Sequence, residues 1–114
     1  HARVILGDAH RLPFADASFD RVFHVGGING FSDPGAALAE LGRVAVPGAP
    51  IVVVDEQLDT TRPSSWWNRL TFKAVTFYDH APEAPVRHLP VGATDVDVLQ
   101  VSRFFYGLRF RMPV

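Results

Sequence analysis

Apolar and polar positions along this chain fall into blocks whose period changes from element to element. Arg3 to Leu6 is a short run rich in β-forming residues, stopped by Gly7-Asp8, and Phe19 to Val25 is a second, closed by Gly26 and Gly27. Ala37, Leu38, Leu41 and Val44 then recur at helical spacing, leaving Glu40 and Arg43 off the apolar stripe. Asp33 as N-cap and Pro34 at the first helical position would start that helix, which must stop before Pro47-Gly48. From Pro50 to Asp55 the residues Ile51, Val52, Val53 and Val54 form a continuous apolar run. That is the pattern of a strand buried on both faces of a parallel sheet.

The second half is less regular. Residues 64–78 carry Trp66, Trp67, Leu70, Phe72, Ala74, Val75 and Phe77, which predicts a helix with a broad apolar face and its aromatic rings in the core. Pro82, Pro85 and Pro90 make residues 79–93 irregular. Val96 to Phe104 alternates, with Val96, Val98 and Val101 inward against Asp95, Asp97, Gln100 and Ser102. Leu108 and Phe110 alternate against Arg109 and Arg111. Phe105-Tyr106-Gly107 is the expected tight connection of this antiparallel hairpin.

Strands alternating with helices predict an α/β fold with a parallel sheet, whose ligand crevice lies beyond the carboxyl ends of the strands. Asp8, Gly26, Gly27 and Asp55 then share one rim. The stretch "GDAHRLPFADASFDRVF" takes on meaning in that frame. Asp8 ends a strand at the rim, where its carboxylate suits an amine-bearing ligand. Leu12-Pro13-Phe14 places apolar bulk beneath, and Asp16, Ser18 and Asp20 turn the chain back. His10 is expected to be solvated, and Asn29-Gly30 to form a rim loop. Asp55 and Glu56 suit either substrate contact or simple strand termination.

Composition narrows the classes. A chain of 114 residues with 47% hydrophobic and 20% charged residues is one globular domain at most. A net charge of −1 gives no basis for nucleic acid or an anionic membrane as partner. No apolar run reaches the ~20 residues of a membrane span. The absence of cysteine removes disulfides and thiolate metal sites and suits a cytoplasmic setting. His80 and His88 match no zinc spacing, so no metal is expected. No Gly-x-Ser-x-Gly elbow marks a hydrolase, and neither Tyr78 nor Tyr106 has a lysine four residues on, as an oxidoreductase pair would require.

Taken together, "GDAHRLPFADASFDRV", "DPGAALAELGRVAVPG" and "IVVVDE" closely resemble the class I, small-molecule S-adenosylmethionine-dependent methyltransferases with a Rossmann-like fold. The group concerned includes the ubiquinone and menaquinone methyltransferases (type 11). "DVLQVSRFFYGLRFRMP" is similar to the closing antiparallel strand pair of that fold. The resemblance implies S-adenosyl-L-methionine as cofactor and a small-molecule methyl acceptor. It implies that Asp8 meets the adenine amino group and the Ala9 amide an adenine ring nitrogen. It further implies that His24, Val25, Gly26 and Gly27 flank the methionine part, with glycine permitting close approach. No catalytic residue is implied. His24 and His80 are the candidate bases for an acceptor that must lose a proton.

Two departures stand out. Pro47-Gly48-Ala49 replaces the family's usual Pro-Gly-Gly. The chain also corresponds to the family fold from its third strand onward, so the first two strands and the glycine-rich loop are not among its residues. Residues 1–114 are therefore expected to be the C-terminal portion of one methyltransferase domain, inactive alone. The alternative is a non-catalytic Rossmann-like binding module or degenerate paralogue.

Overall fold

Asp33 starts the α-helix as its sequence predicts. The Asp33 carboxylate accepts from the Ala36 N–H at 3.0 Å, and Pro34 occupies the first turn, where a missing N–H costs nothing. This helix, α1, runs from Pro34 to Val44 in a computed structural model that describes residues 2–56, 66, 70 and 84–114. It connects strand β1 (Val22–Val25) to strand β2 (Ile51–Glu56), and the two strands pair in parallel from Val22 opposite Ile51 to Val25 opposite Val54. A parallel pair requires such a crossover. Strands β3 (Thr94–Gln100) and β4 (Phe105–Arg111) form the closing hairpin, and β4 inserts antiparallel beside β2 to give the order β1-β2-β4-β3.

The core lies between α1 and one face of β2 and β4. Leu38, Leu41, Ile51, Val53, Tyr106, Leu108 and Phe110 are buried there, and Ile28 joins them from the turn after β1. The expected helical stripe and the inward pair Leu108 and Phe110 are therefore observed.

Several expectations are corrected. Arg3 to Leu6 forms no strand, and Val4 and Leu6 are both fully exposed. A strand needs a neighbour to take its backbone N–H and C=O groups, and among the described residues none lies alongside. Phe19 to Val25 is strand only from Val22, with Phe19 making an isolated bridge to Ala45. Strand β2 alternates, since Ile51, Val53 and Asp55 are buried whereas Val52, Val54 and Glu56 are half-buried. The hairpin connection is at residues 101–104, closed by Val101 and Ser102 donating to the Phe105 carbonyl at 3.0 and 3.2 Å. Phe105, Tyr106 and Gly107 lie within β4, because burying Tyr106 in step with Leu108 and Phe110 extends the period-2 pattern through the glycine.

Val96, Val98, Leu99 and Val101, expected inward except for Leu99, are exposed, since β3 is the outer strand of the sheet. Arg109 and Arg111 instead reach Asp97 and Asp95 across the hairpin at 3.6 Å. The helix expected over residues 64–78 lies outside the described residues except at Trp66 and Leu70. Both are helical and exposed, so Trp66 is not a core residue. Trp67, Phe72, Phe77 and His80 lie outside the described residues.

The asymmetry of the hairpin yields a test. Phe110→Ala removes a fully buried ring between α1 and the sheet and is expected to cost about 3–5 kcal/mol. Val98→Ala, on the exposed strand, should stay within about 0.5 kcal/mol. Denaturant midpoints of the two variants measure both.

Candidate functional site

The linker between residues 7 and 19 is held by α1 through two side chains. Glu40 and Arg43 are one turn apart on the face opposite the core, and Arg43 Nε donates to Glu40 Oε1 at 2.8 Å. The guanidinium then reaches across to the linker, donating to the Phe14 carbonyl at 2.7 Å, the Leu12 carbonyl at 3.0 Å and the Asp16 carboxylate at 2.8 Å. Glu40 Oε2 accepts from the Leu12 N–H at 2.7 Å. The fork of arginine and the two oxygens of glutamate satisfy linker donors and acceptors that no strand ladder serves. The hydrogen bond from Arg43 holds the Glu40 carboxyl below its ordinary value, and Glu40 in turn raises Arg43 further.

The return of the linker caps the helix. The N–H groups of Ala17, Ser18 and Phe19 take the Arg43 and Val44 carbonyls at 2.8–3.0 Å, satisfying acceptors that a helix end leaves open. Ser18 Oγ donates to the Ala15 carbonyl at 2.6 Å, and Phe14 packs edge-on to Phe19 at 5.0 Å. The turn-forming role expected of this acidic stretch is what the structure shows, with Asp16 an ion-pair partner as well.

So anchored, the linker presents Asp8 and Ala9 beside β1. Asp8 is largely exposed, and its Oδ1 accepts from the His10 N–H and pairs with His10 Nδ1, both at 2.9 Å. A carboxylate only accepts, so Nδ1 carries the proton. The His10 backbone N–H, and then its ring, keep the Asp8 carboxyl below the usual carboxylate range. His10 is thus not simply solvated. Its ring lies 5.2 Å from Phe31, which in turn meets His24 edge-on at 5.4 Å. This stack of three rings carries the Asp8 segment to the carboxyl end of β1. Phe31 was not singled out from sequence, since an aromatic just before a helix cap carries no signal of its own.

Beyond His24 and Val25 the backbone bends through Gly26 and Gly27 with φ of 78° and 86°. A Cβ at Gly26 would meet nothing within 4 Å, and one at Gly27 only Phe31 Cε1 at 3.9 Å. The glycines are there for the left-handed backbone, not for want of room among the protein atoms. Gly26 N–H still donates to the Val54 carbonyl at 2.8 Å, completing the ladder before the bend. Asp55 is fully buried and structural. Its carboxylate accepts from the N–H groups of Asn29 at 3.3 Å and Glu56 at 2.8 Å, and Asn29 Nδ2 donates to the Glu56 carbonyl. The loop 28–30 is thereby tied to the end of β2. Between linker, β1 and α1 lies an apolar recess of about 330 Å³, lined by Ala9, Leu12, Phe14, Phe23, His24 and Leu41 among others.

The structure therefore brings Asp8, Ala9, His24, Val25, Gly26 and Gly27 to one region. His24 faces the recess and Phe31, whereas Val25 faces outward. Burial pushes the His24 imidazole below its ordinary value, opposed by the nearby Asp55, and its buried Nδ1 has no partner among the described residues. The unfolded imidazole, near pH 6.5, binds protons more readily than the folded one, so stability must fall as the pH drops through about 6.5. Denaturant midpoints at pH 7.5 and 5.5 should differ more for the unaltered chain than for His24→Gln.

Residues 1–53 match the family model described as a methyltransferase domain. A demethylmenaquinone methyltransferase of Renibacterium salmoninarum is 46% identical over 59 residues, or 52% of this chain and 25% of the relative. The match thus spans about a quarter of that protein's length. Among solved structures, a SAM-dependent methyltransferase from Aquifex aeolicus aligns over 96% of this chain and 54% of its own, at 20% identity and a TM-score of 0.59. The [4+2]-cyclase SpnF aligns over 95% of this chain and 54% of its own, at 16% identity and a TM-score of 0.66. The shared fold extends past the sequence match into the closing hairpin, and the linker and rim described above fall inside the matched residues. On this ground residues 1–53 are similar in sequence to a methyltransferase domain and to the demethylmenaquinone methyltransferases, and the chain as a whole is similar in fold to solved S-adenosylmethionine-dependent methyltransferases.

Proposed function

We propose that this rim receives the nucleoside and methionine parts of S-adenosyl-L-methionine in a methyltransferase acting on a small, quinone-like acceptor. One observation supports the reading above all. The ring stack His10–Phe31–His24 brings an outward carboxylate and a left-handed glycine bend to the same end of the sheet. The donor set fits the group. An adenine amino group needs an acceptor, and Asp8 Oδ2 has no hydrogen-bond partner among the described residues. An adenine ring nitrogen needs a donor, and the Ala9 N–H is likewise without one.

When bound, the cofactor supplies an already activated methyl group on its sulfonium, so the protein's part is alignment and exclusion of water. Asp8 and Ala9 would fix the base, and the exposed Gly26-Gly27 backbone leaves the methionine side open. Burial lowers the basicity of His24, and its Nδ1 is buried, which argues against its acting as a base at the open rim. The quinone-like acceptor is inferred from the demethylmenaquinone enzymes among the relatives. The lack of cysteine supports a cytoplasmic setting.

Calorimetry with S-adenosylhomocysteine tests the reading. With part of the contact set present, a Kd of about 0.1–1 mM is expected. Asp8→Asn should weaken it about tenfold through loss of a charged acceptor. Absence of binding at several times that concentration would overturn the proposal, and equal affinity in Asp8→Asn would remove Asp8 from the site.

A further inference from the structure

Asp8 has two carboxylate oxygens, and the structure treats them differently. Oδ1 is engaged twice by His10, through the backbone N–H and through ring Nδ1, each at 2.9 Å. Oδ2 has no partner among the described residues. The arrangement is sterically supported from behind. The His10 ring is packed on Phe31 with its Nε2 buried, so the imidazole is not free to swing away and release Oδ1.

We propose that His10 is a positioning residue that makes Asp8 a selective reader of purines: by occupying Oδ1 it leaves Oδ2 as one fixed, anionic acceptor. This deepens the proposed function and rests on it. A fixed anionic acceptor favours a purine with an amino group at its 6-position, which donates. It disfavours a 6-oxo purine, whose carbonyl lone pairs would face the carboxylate. A carboxylate free to rotate would accommodate the 6-oxo ligand better, by turning aside or taking the neighbouring ring N–H. Selectivity between the two purines therefore reports on His10, whereas mere packing of its ring does not.

Two substitutions separate donor from ring. His10→Phe keeps an aromatic ring against Phe31 and loses the Nδ1 donor. His10→Asn loses the ring but places an amide donor close to where Nδ1 lies. The probes are S-adenosylhomocysteine and S-inosylhomocysteine, measured by calorimetry on the 114-residue chain and both variants, with circular dichroism confirming that each is folded. The ratio of the two affinities should fall about tenfold in His10→Phe and be largely kept in His10→Asn. A ratio in folded His10→Phe equal to that of the unaltered chain would overturn the positioning role while leaving the cofactor reading intact. Failure of the unaltered chain to bind S-adenosylhomocysteine at all would overturn both.

Discussion

The candidate site depends on one charged pair, Glu40 with Arg43, placed on the side of the helix that faces away from the core. Among the described residues, the linker that carries Asp8 and Ala9 forms no ladder with the sheet and only a single internal bridge, Asp8 to Arg11. Its position is set by a few hydrogen bonds to this pair and by Leu12 and Phe14 settling against the helix and β1. Charge-assisted bonds are the stronger kind, and a guanidinium fork can hold two carbonyls and a carboxylate together where a lysine would hold one. The helix is in turn anchored by its apolar stripe to β2 and β4. Order thus passes from a buried core, through a surface ion pair, to a rim that has little core of its own.

Elements whose signal is local could be read from sequence. Asp33 and Pro34 start a helix by the chemistry of their own side chains, and the spacing from Ala37 to Val44 names its buried face. Leu108 and Phe110 were legible because a period of two survives whatever the neighbours are. What failed depended on partners. Arg3 to Leu6 has the composition of a strand and nothing to pair with among the described residues. Val96, Val98 and Val101 have the alternation of a half-buried strand and nothing among the described residues that buries them. Tyr106-Gly107 looked like a turn because glycine is a turn residue, yet burial of the tyrosine ring fixed the segment in the sheet.

The site was legible in part for the same reason. Glu40 and Arg43 were correctly placed off the apolar stripe, but a position facing outward is not necessarily solvated, and their long-range partners at residues 12–16 leave no mark in helical periodicity. His10 and Phe31 meet only because the linker folds back beside the turn after β1, a contact across 21 positions in the chain. Gly26 and Gly27 were singled out for the close approach of a ligand, and the structure adds a second demand, a left-handed backbone that the surrounding protein atoms would not by themselves impose. The fold itself is compatible with more than one chemistry, as its likeness to a cyclase shows, so the rim and not the sheet carries the functional reading.

Amide hydrogen exchange of Leu12 and His10, compared between the unaltered chain and Arg43→Met, tests the dependence of the rim on the ion pair most directly. Both amides should be protected in the unaltered chain, and both should lose that protection in the variant while Val53 in the sheet keeps its own. Undiminished protection of Leu12 and His10 in a folded Arg43→Met chain would contradict the account.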